Sequence, residues 1–430
     1  MLHGPLTKKL IQFAIPIALS SMLQQLFHAA DTSVVGHFAD ADALAAVGTN
    51  GELIALLVSL SAGLSVGANV EIARCIGEKK TSGIQTIIQT SLTFSLIFGC
   101  LGAILGQFLA APVLCAIQTP ASVLKPAVSY LRIYFLGYPF LLLYDFGSAI
   151  LRAKGDSRYP FFALSVSGIL NVALNLFFVI VCHLGVSGVA AATGISNIAS
   201  AFLVLSRIPL QKPGIQKNIL IRILRTGIPA AVQGAVFCFA NIFIQASVNS
   251  LGAIATAGST IAMNFEYFGY YMITAFGQTA TTFTSQNFSA GNPRRCKKIL
   301  ALCLVCSVVF CALITVPLTL WRIPFCRLFS PEPEVINAAC TRILLVLVFE
   351  PVCGLYEIPA GVLRGIGHST LPAVFTVIGT CLLRIVWIFT VFSRFHTPQS
   401  LFLVFPISWV VTIVLVGSGL FRFLEIRSLP

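Results

Sequence analysis

The sequence predicts an all-α membrane protein: twelve transmembrane helices in two six-helix bundles related by a parallel pseudo-two-fold repeat. Three observations carry this. Apolar residues make up 57% of the 430-residue chain and charged residues only 10%, whereas a soluble globular chain carries about 25% charged residues. So few charges cannot cover a surface in water, and lipid must solvate the chain instead. Apolar windows follow one another along the whole length, each close to the about 20 residues that a bilayer span needs. And the two halves of the chain read alike.

The windows can be taken in order. Lys8 and Lys9 precede the first, 10–36. No A-x-A-like cleavage site follows, so it reads as a span and not as a signal peptide. The second, 44–72, stops before Arg74, Lys79 and Lys80, and the third covers 84–110. The fourth, 127–150, stops before Arg152, Lys154 and Arg158; 159–182 and 187–206 complete the first half. A short basic linker leads to 220–248, 253–284, 298–320, 337–362, 371–393 and 400–423. All must be helices, because an open strand cannot satisfy its backbone in lipid. A β-barrel would show alternating ten-residue segments, which continuous runs such as LNLFFVIVCHL (174–184) exclude.

The repeat is clearest between residues 138–160 and 350–372. Aligned without gaps, they share Pro139/Pro351, Leu143/Leu355, Tyr144/Tyr356, Leu151/Leu363, Arg152/Arg364, Gly155/Gly367, Ser157/Ser369 and Pro160/Pro372. Asp145 stands opposite Glu357, and Ile15-Pro16 opposite Ile228-Pro229. The expected division is 1–208, an N-terminal six-helix bundle; 209–217, a cytoplasmic linker; and 218–430, a C-terminal six-helix bundle. An even number of spans per half makes the repeat parallel, with its axis along the membrane normal.

The net charge of +13 is a topology signal. Most of the 27 Lys and Arg fall on the N-terminus, the linker and alternate loops; Lys125, Arg132, Arg322, Arg327, Arg342 and Arg394 lie on or near the other side, and Arg384 lies within a span. That asymmetry puts both termini in the cytoplasm of a multi-pass plasma-membrane protein. No charged soluble module is present to bind nucleic acid; membrane lipids and a small molecule are the expected partners. The 13 cysteines are scattered through apolar segments. Cys303 and Cys306 form a CxxC inside a span, with no second pair to complete a zinc site. No P-loop, GxSxG or HExxH occurs, and the histidines are dispersed, so neither ATP hydrolysis nor other enzymatic chemistry is expected. Energy would come from an ion gradient, with H⁺ or Na⁺ as coupling ion and no organic cofactor.

Ionisable side chains within spans cost about 2.5–3.5 kcal/mol each on insertion scales and are functional candidates by default. Asp31 ends the first span, with Gln24 and His28 on its face of the helix. Asn171 and Asn175 lie four apart on the fifth span, and Thr193 follows the small-residue run GVAAATG on the sixth. Together these offer a carboxylate and neutral oxygens to a proton or Na⁺, with Asp31 the candidate Na⁺ ligand; alternatively the amides only join neighbouring helices. In the second half Glu266 lies among tyrosines, including Tyr270, and Glu350 and Glu357 flank Tyr356 two helical turns apart. Carboxylates beside aromatics suit an organic cation. The other reading has Arg384 neutralising Glu350 or Glu357. Glu52 stands as a first-half counterpart of Glu266. Pro16 with Pro229, and Pro139 with Pro351, would kink helices at matching places.

These segments resemble the multidrug and toxic compound extrusion (MATE) family along essentially the whole chain. The resemblance rests on ADTSVVGHF (30–38), GLSVGANVEIARCIGEKK (63–80), ILRAKGDSRYP (150–160), TFTSQNFSAGNPRR (282–295), VLRGIGHSTLP (362–372) and RIVWI (384–388). It implies export of organic cations or amphiphilic drugs in exchange for H⁺ or Na⁺. Separately, the chain is expected to act as a monomer. It matches Asp31 to the family's first-helix aspartate, and Asn171 and Asn175 to an Asn-x-x-x-Asp pair whose acid is here an amide. Gln24 and Thr193 fall where the family supplies further polar groups, and acids used by another branch leave Glu266 open as a coupling residue. The rival readings are a lipid-linked oligosaccharide flippase or a metabolite or organic-anion exporter of the same superfamily, a major-facilitator-type carrier and a membrane-embedded enzyme.

Overall fold

The computed structural model describes residues 1–38, 41–117, 119–210 and 212–426. Among these, secondary structure is helical throughout. The helices are α1 (Leu6–Phe38), α2 (Ala41–Gly77), α3 (Thr81–Ala116), α4 (Ala121–Ala153), α5 (Arg158–Val181) and α6 (Gly185–Ser206) in the first half. They are α7 (Lys217–Ser250), α8 (Ala253–Ser289), α9 (Pro293–Leu320), α10 (Pro333–Gly365), α11 (Thr370–Phe395) and α12 (Pro398–Phe402 continued by Val404–Ile426) in the second. Eleven of these segments are long and apolar enough to cross a membrane. The twelfth, α8, is 37 residues long but carries Asn264, Glu266 and a run of threonines that lower its hydropathy.

The repeat recurs in the turns. A left-handed residue ends α2 at Lys79 (φ 58°) and α8 at Gly291 (φ 74°), α4 at Gly155 (φ 100°) and α10 at Gly367 (φ 89°). Each closes the same C-terminal cap: the next N–H reaches back five residues, Lys80 to the Cys75 carbonyl at 3.0 Å, Asn292 to Asn287, Asp156 to Leu151 and His368 to Leu363 each at 2.9 Å. His183 (φ 52°) and His396 (φ 34°), which follow α5 and α11, are also left-handed, but the next N–H reaches back six residues to Phe178 in the first case and forward to Ser400 Oγ in the second. The halves diverge at the matched prolines. Pro139 lies inside continuous α-helix, whereas Pro351 sits in a 3₁₀ segment, Leu347–Cys353, that interrupts α10.

The chain forms two compact units. The first is Leu19–Ala231; the second combines Met1–Ala18 with Val232–Pro430. These units depart from the halves 1–208 and 218–430 at both helix starts, because packing and not ancestry sets them. In the first unit the start of α7 lies against α2 without room for a side chain: a Cβ on Gly67 would stand 2.0 Å from the Ile223 carbonyl oxygen, and one on Gly63 2.4 Å from the Ala231 Cα. In the second unit Phe13 meets Phe283 edge-on at 5.4 Å, and Arg295 donates to the Met1 and Gly4 carbonyls at 3.1 and 3.0 Å. Small residues let helices approach in this way where water supplies no driving force. Gly67→Ala should therefore lower stability by about 1–3 kcal/mol through overpacking, read as thermal unfolding of the purified protein. Gly48→Ala on the same helix, with nothing within 4 Å of the added carbon, is the control.

The linker is strapped to α3. Gln85 donates to the Pro209 carbonyl at 2.6 Å and Gln89 to that of Lys212, while Thr93 accepts from the Gly214 N–H at 3.1 Å and Thr90 from the Gln216 N–H at 3.3 Å. Gln211, within the linker, and the last four residues of the chain lie outside the described residues. Nearby, a cleft of about 320 Å³ is lined by Glu71, Arg74, Glu78, Lys80 and Arg222, among others. Glu71 pairs there with Arg222 at 3.0 Å. Lys80 and then Arg74 hold the Glu78 carboxyl below its ordinary range.

Candidate functional site

In the first unit α1 crosses α5 at Gly168, where any Cβ would fall 1.7 Å from the Phe27 ring. The glycine lets the Phe27 face of α1 settle onto α5. One turn on from Phe27, Asp31 lies on that same face, and Asn171 and Asn175 continue the Gly168 face. Asn175 donates to Asp31 Oδ1 and, through the same Nδ2, to Asn171 Oδ1 at 3.3 Å. Asn171 donates to Thr193 Oγ1 on α6 at 3.4 Å. Thr193 in turn donates to the Val189 carbonyl at 3.0 Å.

Asp31, Asn171 and Asn175 are 7%, 5% and 0% exposed. Asn175 Oδ1 has no hydrogen-bond partner. A buried carbonyl oxygen beside a carboxylate is costly in lipid unless something cationic or protic meets it. Asp31 and this oxygen are the atoms that would hold a proton or Na⁺. Gln24 is exposed and makes none of the cluster's hydrogen bonds, although it shares Asp31's helical face. Glu52 is likewise exposed. Elsewhere in the unit, Asp145 accepts from Ser61 at 2.6 Å.

The second unit handles its acids differently. Glu266 is engaged on both oxygens by Arg342, whose Nε and Nη2 donate to it at 2.7 Å each. Arg342 Nη1 donates to Ser259 at 2.5 Å, and the guanidinium lies over the Phe402 and Phe405 rings. It is 3% exposed. The expectation of Arg342 as a surface topology charge, and of Glu266 as a carboxylate open to an organic cation, is corrected here: the two neutralise one another. Glu357 likewise pairs with Arg364 at 2.9 Å, and Arg364 extends to Gln233 at 3.2 Å. Arg384 neutralises neither Glu350 nor Glu357.

Glu350 and Glu357 both face α8, opposite Gly269 and Gly277, where a Cβ would lie 2.6 Å from Glu350 Oε2 and 3.1 Å from Glu357 Cγ. Glu350 is 4% exposed and its Oε2 makes no hydrogen bond. Tyr270 stacks on Phe237 with centroids 6.3 Å apart and planes 2° from parallel; Tyr356 is buried. Arg342, Arg364 and Gln233 were missed as site residues. The spacing of Glu357 to Arg364 is the same seven residues as Asp145 to Arg152, a signal available in the repeat.

Two related helical bundles, each carrying buried carboxylates within apolar helices, define the fold of a membrane transporter. The MatE family model matches residues 16–177 and again 229–390, and the chain belongs to that family, the multidrug and toxic compound extrusion transporters. It is 26% identical over 381 residues to the probable multidrug resistance protein YoeA of Bacillus subtilis, covering 85% of this chain and 82% of the relative. It is 23% identical over 359 residues to an FAD transporter of Shewanella oneidensis, covering 80% and 79%. Among solved structures, an outward-facing multidrug resistance MATE family transporter of the MOP superfamily superimposes with a TM-score of 0.92 at 21% identity, covering 99% of this chain and 98% of that one.

Proposed function

We propose that this chain is an antiporter of the plasma membrane, with both termini cytoplasmic, that exports organic cations or amphiphilic compounds in exchange for H⁺ or Na⁺. The observation that supports this reading most is the buried chain Asp31–Asn175–Asn171–Thr193 with its unpartnered Asn175 oxygen. A cation or proton there adds charge where the fold has left a carboxylate and a bare carbonyl. If the ion binds the inward- and outward-open states unequally, its gradient drives alternation between them. Substrate would use the second unit, whose aromatic residues adjoin Glu350. The multidrug name of the Bacillus relative agrees with an amphiphilic cargo.

A metabolite or organic-anion exporter is the second reading, favoured by the FAD transporter relative; a lipid-linked oligosaccharide flippase would need a cavity of net positive charge. Cells expressing the protein should extrude ethidium. Collapsing the proton and sodium gradients separately should abolish efflux in one case only, and that case names the ion. Well-expressed protein that extrudes no ethidium under any gradient would overturn the multidrug reading in favour of the second.

A further inference from the structure

The second unit holds a buried arginine that forms no ion pair. Arg384 on α11 is 2% exposed, and it enters none of the ion pairs formed among the described residues. Its Nε donates to Ser408 on α12 at a long 3.3 Å, which leaves the two terminal nitrogens of the fork uncommitted. The guanidinium lies over the Phe405 ring, 4.3 Å from its centroid, and over the Phe237 ring at a looser 5.6 Å. Phe237 is only half-buried. That ring also stacks in parallel with Tyr270. Glu266 and Glu357 are committed to Arg342 and Arg364, and the buried Glu350 forms no ion pair with Arg384. An intramembrane arginine without an acid is expensive and marks a place where an anion belongs; its planar fork fits a carboxylate or phosphate with two parallel bonds.

We propose that Arg384 is the anion subsite of a substrate site in this unit. The carboxylate, sulfonate or phosphate of a planar aromatic compound seats on the guanidinium, and its ring system lies on the Phe237–Tyr270 stack. Substrates thus include acidic or zwitterionic aromatics as well as cations. This inference rests on the reading of the chain as an exporter of small amphiphiles, and it specifies their chemistry.

The test uses two dyes with one ring system and opposite charge, fluorescein (anionic) and a rhodamine ester (cationic), and the full chain reconstituted in lipid nanodiscs. Fluorescence polarisation should show the unsubstituted protein binding fluorescein. Arg384→Gln should weaken this by about 10-fold or more, as loss of a forked charge-assisted contact implies, with the rhodamine ester held as before. Arg384→Lys, which keeps the charge and so protects the fold, should fall between. No fluorescein binding by the unsubstituted protein, equal binding by Arg384→Gln, equal loss of both dyes, or undiminished binding by Arg384→Lys where the glutamine variant does not fold, would each overturn the subsite. Dye efflux from cells is scored separately. Arg384-dependent binding with no export of either dye would sink the exporter reading and leave the subsite standing; export of fluorescein unchanged in Arg384→Gln would do the reverse.

Discussion

Asp31→Asn is expected to uncouple the transporter: gradient-driven ethidium efflux should fall by about 5- to 150-fold, the range that a coupling free energy of about 1–3 kcal/mol spans. The substitution is isosteric. An amide at position 31 can still accept from Asn175, so the α1–α5 contact through Phe27 and Gly168 stays intact and the protein should melt as before. What disappears is the negative charge beside the bare Asn175 oxygen. Ethidium binding to the purified protein should persist, because the aromatic residues proposed to hold it belong to the other compact unit. The converse change, Asn175→Asp, places a second carboxylate beside Asp31. Two acids sharing one site raise the proton affinity of one of them and offer a metal cation a second anionic oxygen. Efflux by that variant should gain sodium dependence, measured with and without Na⁺ at constant pH. Coupled efflux by Asp31→Asn at the parental rate would remove this cluster from the mechanism.

The second large effect concerns Glu266 and Arg342. Removing one member of a buried, bidentate pair leaves the other charge stranded, which costs about 3–5 kcal/mol. Glu266→Gln and Arg342→Gln should each lower the melting temperature markedly. The double substitution should recover most of the loss, since neither charge is then left behind. A double-mutant cycle of the two on thermally unfolded, detergent-purified protein isolates the pair term. If instead Glu266→Gln melts normally while ethidium binding is lost, the carboxylate is free for substrate and the ion pair is not the one that matters.

Much of the architecture could be read from the amino-acid order, because lipid leaves a chain few choices: spans must be helical, and their apolar windows show plainly. The repeat was legible as well, down to Gly155 and Gly367, whose left-handed caps close the same turn in both halves. The first-unit cluster was half legible. Spacing of four put Asn171 and Asn175 on one face, but the same reasoning admitted Gln24, and helical phase alone does not tell which residues on a face are covered. The second unit was harder. An arginine near the end of a span reads equally well as a loop charge on the less basic side and as a buried counter-ion; Arg342 is placed with the first in the sequence and is the second in the structure. The compact units were illegible for a different reason. Sequence similarity records which segments share ancestry, and the contacts of Phe13 and Gly67 follow a different partition.

Those N-terminal contacts also set a timetable for biosynthesis. Met1–Ala18 leaves the ribosome long before Phe283 and Arg295, yet Phe13 packs on Phe283 and the Met1 carbonyl accepts from Arg295. At a synthesis rate of about 5–20 residues per second the interval is on the order of tens of seconds. During it, the start of α1 sits in the bilayer or against the insertion machinery without its final neighbours. A nascent chain interrupted anywhere before α8 leaves that segment without the neighbours it packs on in the finished fold.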